Sequence, residues 1–159
     1  MSTDETSAAA RRAAIVAAIQ QQTGIDEAMI ERLVRAFYRR VQEDALIGPV
    51  FAERIGDWEP HLQRMFAFWS SVVLMSGRYH GQPMVAHLPL PIDTPHFDRW
   101  LEIFADTVWE VCPTPAPAAV HFLTLAHRIA DSLELGIAAQ KGELRVKRSR
   151  PTQTLPPAR

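Results

Sequence analysis

The chain has 159 residues, of which 17 are basic and 18 acidic, and 47% are hydrophobic. This length suffices for one domain with a hydrophobic core, and the composition excludes a collagen-like repeat, a disulfide-stapled miniprotein and a wholly disordered chain. No apolar run approaches the ~20 residues of a membrane span. The single cysteine, Cys112, cannot form an internal disulfide, which favours a cytoplasmic location. The near-zero net charge gives no reason to expect a nucleic-acid or membrane partner.

The two ends of the chain differ in composition from its centre. Residues 139–159 carry a net charge of +5 and three prolines, whereas residues 1–138 carry a net charge of −6. We therefore predict a disordered basic tail at 139–159, for which a solubilising role fits better than a nucleic-acid arm. Residues 1–24 are expected to form an extension that is partly helical or disordered, with a weak helix over 8–22.

Two strongly periodic helices are predicted in the first half of the domain. The first begins after Asp26, a good N-cap, and ends near Asp44, and its apolar residues follow an i, i+3, i+4, i+7 pattern. The second begins after Asp57 and runs to about Met75. Apolar side chains cover most of its circumference, so we expect it to be buried on two sides. A large apolar ligand is a reasonable filler for one of them.

Two further helices are predicted in the second half. The third opens at Thr94-Pro95, with Thr94 as N-cap, and the fourth follows Cys112 and runs towards Gly136. No stretch alternates apolar and polar residues as a strand does, so the chain is predicted to be all-α. Between the second and third helices, residues 77–95 are rich in glycine and proline yet apolar. A long connection of this kind is usually functional or disordered, and its apolar side chains predict that it is fastened in place.

Two histidines are candidates for chemistry. His87 lies between Pro83 and Pro89, in room for one helical turn. Imidazole is the commonest neutral nitrogen ligand, but no second protein ligand lies at zinc spacing. A single histidine suffices only where the other ligands arrive with the metal, as the pyrrole nitrogens of a haem do. His61 lies one turn before Met65 on an apolar stripe. Local sequence alone favours an ordinary loop histidine at 87 and a solvated one at 61.

Two aromatic residues combine an apolar body with a polar tip. Tyr38 lies at the edge of the apolar stripe of the first helix, and Trp100 lies on the stripe of the third. A buried tyrosine hydroxyl needs a partner, and an indole can donate one hydrogen bond. Taken alone, each residue fits plain core packing.

Three longer segments carry a resemblance to a known family. They are FYRRVQEDALIGPVF at 37–51, DWEPHLQRMFAFWSSVVLMSGRYHGQPMVAHLPL at 57–90 and HFDRWLEIFADTVWE at 96–110. Together they resemble the truncated haemoglobins, specifically group III, over residues 25–137. The resemblance implies a shortened globin fold, a two-over-two helical sandwich around a haem, with a truncated globin domain at 25–138.

The resemblance also implies roles for individual residues. His87 would be the proximal ligand of the haem iron, and Tyr38, His61 and Trp100 would stabilise a small ligand on the distal side. The other residues implied to line the haem pocket are Phe37, Phe51, Met65, Phe68, Trp69, Tyr79, Met84 and Leu88. The cofactor would be haem b, held non-covalently, because the sequence has no Cys-x-x-Cys-His attachment motif.

Three functional hypotheses follow from these expectations. The first is a haem protein that binds dioxygen, or nitric oxide or carbon monoxide, in a polar distal pocket whose donors hold the ligand too long for simple transport. The second is a haem redox enzyme, a nitric oxide dioxygenase or a peroxidase-like protein, supplied with electrons by an external reductase. The third, a haem-free helical interaction module, requires the resemblance to be misleading.

Overall fold

Seven α-helices make up the described part of the chain, residues 3–142, in a computed structural model. Their bounds are α1 Thr3–Thr23, α2 Glu27–Glu43, α3 Gly48–Arg54, α4 Trp58–Leu74, α5 Pro83–His87, α6 Thr94–Val111 and α7 Pro117–Gln140. No strand occurs among these residues, which confirms the all-α prediction. Within the same range, no helix has the length and apolar character that a membrane crossing requires.

Helix α2 lies at the centre of the packing. Its N-cap is Asp26, whose Oδ1 accepts the Met29 N–H at 2.8 Å, and its apolar stripe is buried. One side of α2 packs against α4 and the other against α6, while α6 also packs against α7. The hydrophobic core therefore lies between the pair α2 and α4 and the pair α6 and α7, as expected for two layers of two helices.

Two contacts also brace α2 directly to α6. Arg99 of α6 donates from Nε to Asp44 Oδ1 at 2.7 Å, at the C-terminal cap of α2. Further along α6, the buried Thr107 hydroxyl accepts a hydrogen bond of 2.8 Å from Arg40, which also pairs with Glu110. Arg40 and Asp44 are one turn apart, so both contacts hold the C-terminal end of α2 against α6.

The N-cap of α6 differs from the prediction. It is Asp93 rather than Thr94, because the Asp93 carboxylate accepts the Thr94 N–H at 2.8 Å. The Nδ1 atom of His96 in turn accepts the Asp93 N–H at 3.0 Å, which closes a capping box. Because the side chains of Asp93 and His96 each accept the backbone N–H of the other residue, Asp93 displaces Thr94 as the cap.

Two further elements extend beyond the prediction. Helix α3 was not expected, and it begins at Gly48, where a Cβ atom would lie 2.9 Å from the carbonyl oxygen of Val41. Helix α7 continues through Gly136 to Gln140. The Met84 side chain of α5 fills the space that a Cβ atom at Gly136 would need, so this glycine admits a neighbouring helix instead of ending its own.

Helix α1 and the connection between α4 and α5 complete the described part of the chain. Residues predicted to be partly helical or disordered form α1, which packs against α4 and α7 but buries no residue fully. Helix α4 ends at Met75, which adopts a left-handed conformation with φ 58°, and Gly77 follows with φ 74°. The connection then continues to the single turn of α5, as predicted. Of the predicted basic tail, residues 143–159 lie outside the described residues.

Candidate functional site

A cluster of aromatic rings surrounds Tyr38 on the inner face of α2. Tyr38 is 5% exposed, and its ring centroid lies 5.0 Å from that of Phe37 and 5.7 Å from that of Phe51 on α3. Trp58 and His61, from the first turns of α4, lie at 5.8 and 5.0 Å from the same ring. Burial raises the pKa of the Tyr38 hydroxyl well above its usual range. The hydroxyl therefore stays protonated, as a hydrogen-bond donor, at any physiological pH.

His61 presents an unpartnered nitrogen to this cluster. Its ring stands edge-on to Tyr38, and its Nε2 atom is buried without a hydrogen-bond partner among the described residues. Burial, with a smaller contribution from the positive charge of Arg64, lowers the pKa of His61 to about 4. The imidazole is therefore neutral at pH 7. A buried, unpartnered polar atom is costly and is expected to serve a ligand.

His87 lies at the C-terminal end of α5 with one ring nitrogen already engaged. Its Nδ1 atom lies 2.6 Å from the Pro83 carbonyl oxygen. Because a carbonyl oxygen can only accept, Nδ1 donates, and this tautomer leaves the lone pair of Nε2 for another partner.

Trp100 belongs to an aromatic stack that continues from the cluster into the core. Its ring lies parallel to Phe104, with centroids 5.3 Å apart, and to Trp69 at 6.5 Å. Phe37 stands edge-on to Trp100 at 5.5 Å and also contacts Tyr38. Trp100 is thus joined to the Tyr38 cluster through Phe37.

The remaining residues that were predicted to line the pocket belong to α4, α5 and the segments next to α5. Phe68 stands edge-on to Trp69 and to Tyr79, at 5.5 and 5.2 Å. The other three are half-buried against the core: Met65, Met84 and Leu88. Of these, Met84 packs against Gly136 of α7. The structure therefore brings Phe37, Phe51 and His61 into ring contact with Tyr38 and joins Trp100 to them through Phe37. Met65, Phe68, Met84 and Leu88 pack against the shared core.

Sequence reasoning missed two members of the cluster. Trp58 lies between Phe51 and His61, with centroid distances of 6.4 and 5.7 Å. Its spacing of three residues from His61 places both on one face of α4, and that was the available signal. Phe104 stacks on both Trp100 and Trp69, and its spacing of four residues from Trp100 is the corresponding signal.

The sequence is similar to several known proteins. The family model described as bacterial-like globin matches residues 19–131. The group 3 truncated haemoglobin ctb of Campylobacter jejuni is 34% identical over 89 residues, which cover 53% of this chain and 70% of that protein. The group 2 truncated haemoglobin YjbI of Bacillus subtilis is 28% identical over 86 residues, which cover 53% of this chain and 65% of that protein.

Two solved structures share the arrangement of helices. The crystal structure of the group III truncated haemoglobin from Campylobacter jejuni matches with a TM-score of 0.64 and 29% identity, over 71% of this chain and 91% of that one. A thermostable haemoglobin from the actinobacterium Thermobifida fusca matches with a TM-score of 0.52 and 22% identity, over 76% of this chain and 94% of that one. The second likeness concerns the fold alone. Together these matches confirm the predicted shortened globin fold.

Proposed function

We propose that this chain, which belongs to the bacterial-like globin family as a group III truncated haemoglobin, binds haem b without a covalent bond and holds a small diatomic ligand in a polar distal pocket. Family membership supports a haem globin role. The observation that supports haem binding by His87 and ligand binding near His61 is the hydrogen-bonding state of the two imidazoles. His87 has an engaged Nδ1 and an open Nε2, while the neutral His61 has a buried, unpartnered Nε2.

The residues present fit a haem. When bound, a haem supplies an iron with four porphyrin nitrogens and a coordination position for a diatomic ligand. The open Nε2 of His87 suits the remaining protein ligand, and the bond from Nδ1 to the Pro83 carbonyl orients the ring and increases its basicity. Phe51 and Phe68 are half-buried aromatic residues that would pack against the macrocycle.

Three side chains would act on the ligand at the distal side. The Tyr38 hydroxyl and the Trp100 indole are donors, and His61 is a neutral imidazole whose Nε2 is unpartnered. Developing negative charge on the ligand is stabilised by such donors in a site that excludes water. Each bond contributes about 1–3 kcal/mol, so two donors would slow ligand release by roughly one and a half to four decades. Prolonged retention favours ligand capture or ligand chemistry over rapid delivery.

The experiment that tests the proposal is an absorption spectrum of the full chain after addition of haem. A Soret band that co-elutes with the protein is expected, and its absence would remove the proposal. His87→Ala should abolish or severely weaken haem retention. The matched control is His80→Ala, because His80 is an exposed histidine in the preceding connection, and this variant should retain haem as the wild type does.

A second candidate function, redox turnover at the same site, is favoured by the state of His61. Because His61 is neutral and its Nε2 atom is unpartnered, this imidazole would be available to hydrogen-bond a peroxide in the pocket. Nitric oxide dioxygenation is the other reaction in this class. Sustained turnover would require electrons from an external reductase. Catalytic consumption of peroxide or nitric oxide with a chemical reductant, reduced in His61→Leu, would support this candidate over ligand holding alone.

A further inference from the structure

The connection between α4 and α5 is fastened to α4 and α2 through a buried hydroxyl. Ser70 of α4 is 0% exposed. In the described part of the chain, Thr107 is the only other polar residue that is fully buried. Its Oγ donates to Glu27 Oε1 at 2.6 Å and lies 2.6 Å from the Ser76 Oγ. Because the one proton of Ser70 goes to the carboxylate, the hydroxyl of Ser76 donates to Ser70. A residue just after α4 is thereby tied to the first turn of α2.

Two further bonds fix the same connection. Arg78 donates from Nη1 to the other carboxylate oxygen of Glu27, Oε2, at 2.8 Å. The backbone N–H of Tyr79 donates to the Ser71 hydroxyl at 2.8 Å. Glu27 thus accepts one bond from α4 and one from the connection, and a bond that involves a charged group is about twice as strong as a neutral one.

Helix α1 adds a contact from outside the matched family region. A Cβ atom at Gly77 would lie 2.7 Å from Nη1 of Arg12, so the guanidinium packs directly over this glycine. The family model begins at residue 19, after Arg12. The connection is therefore contacted by three helices, and every one of these contacts is between residues of the chain itself.

We propose that Glu27, Ser70, Ser76 and Arg78, here called the loop anchor, are positioning residues that fix the segment carrying His87 before haem binds. The proposal rests on the proposed role of His87 as the haem ligand. Four residues separate Arg78 from the start of α5, and Met84 then seats α5 against Gly136 of α7. A segment held at both ends loses little further conformational freedom when its histidine binds a haem iron. The entropy cost of ordering this segment therefore falls on folding and does not reduce haem affinity.

Amide hydrogen exchange of the full chain tests the loop anchor independently of haem. In the wild type without haem, amides of residues 76–82 should exchange more slowly than in an unstructured peptide. Ser70→Ala and Arg78→Gln should each accelerate exchange there by about tenfold, as expected for the loss of one charge-assisted bond. The control is Thr107→Val, which removes the other fully buried hydroxyl, itself bonded to Arg40, and should leave residues 76–82 unchanged.

The haem-loaded protein supplies the second measurement. Ser70→Ala and Arg78→Gln should release haem to an acceptor globin several-fold faster than the wild type and shift the iron–histidine stretching band, whereas Thr107→Val should do neither. Arg78 is exposed, so Arg78→Gln stays informative if Ser70→Ala does not fold. Unprotected amides at 76–82 in the wild type without haem, or equal effects of Ser70→Ala and Thr107→Val, would overturn the proposal. A wild type that lacks a Soret band refutes the haem function instead, and the exchange result still decides the anchor.

Discussion

Replacing His61 by leucine tests whether its imidazole is held neutral at a cost to stability. Burial lowers its pKa to about 4 in the folded chain, whereas the unfolded chain has an ordinary value of about 6.5. Between those two values the unfolded state binds more protons than the folded state. The free energy of unfolding contributed by this residue therefore falls as the pH falls from about 6.5 to about 4, and is constant outside that window.

The size of the effect follows from the shift. Each pKa unit corresponds to about 1.4 kcal/mol, so the full shift sets an upper limit of about 3 kcal/mol. His61 is only half-buried, and solvent screening reduces the expected effect to about 1–2 kcal/mol. Leucine cannot titrate and leaves no unpartnered nitrogen, so His61→Leu should also be more stable at pH 7.5, by about 1 kcal/mol.

Urea unfolding of the haem-free full chain, followed by circular dichroism, measures both quantities. The wild type should lose about 1 kcal/mol relative to His61→Leu between pH 7.5 and pH 5. Measurements stay at or above pH 5, because Glu59 has a pKa lowered to about 2 by its bond to Arg35 and contributes its own dependence in more acid solution. Parallel stability curves for the two proteins across this range would refute the reasoning.

Three further predictions concern the pocket and its supports. Tyr38→Phe removes a donor from the distal side and should speed release of dioxygen by about tenfold in stopped-flow measurements. Asp26→Ala removes the bond to the Met29 N–H at the start of α2 and should lower the free energy of unfolding by about 1 kcal/mol, measured in urea. Gly136→Ala places a methyl group where the Met84 side chain lies, so it should displace α5, lower stability by about 1–3 kcal/mol and accelerate haem loss.

Each of these variants has a control in the same chain. Tyr79→Phe removes a hydroxyl that lies over Gly81, and it should leave the release rate of dioxygen near that of the wild type. Asp57→Ala changes an N-cap whose side chain makes no capping bond, so it should cost less than Asp26→Ala. Gly56→Ala adds a methyl group with no atom within 4 Å, and equal effects of this variant and Gly136→Ala would contradict the packing argument.

The long helices were predictable because their signals are local. Asp26 is followed by an apolar stripe at helical spacing, and the helix begins and ends within a residue or two of the predicted positions. The cap of α6 was wrong by one residue because Asp93 and Thr94 are both capping residues, and the contact with His96 decides between them. Local pattern did not predict α3, because a helix of seven residues is too short to show an apolar stripe.

The candidate site was predictable only in part. Family resemblance selected Tyr38 and His61, and the structure places their rings in contact. The spacing of Trp58 from His61 places both on one face of α4, but the contact of Trp58 with Phe51 depends on how α3 and α4 meet. The same holds for the loop anchor, in which Glu27 and Arg78 are 51 residues apart in sequence. The roles of Tyr38 and His61 as contacts of a ligand stay predictions.

The two contacts that join α2 to α6 restrict the relative motion of these helices. The contacts of Arg99 with Asp44 and of Arg40 with Thr107 lie on either side of Trp100 along α6. Phe37, next to Tyr38 on α2, also packs edge-on against Trp100. We therefore expect the separation between Tyr38 and Trp100 to vary little. If these two side chains act as the proposed donors, a diatomic ligand would meet them in a fixed arrangement, and the folded chain would then discriminate among ligands by their shape.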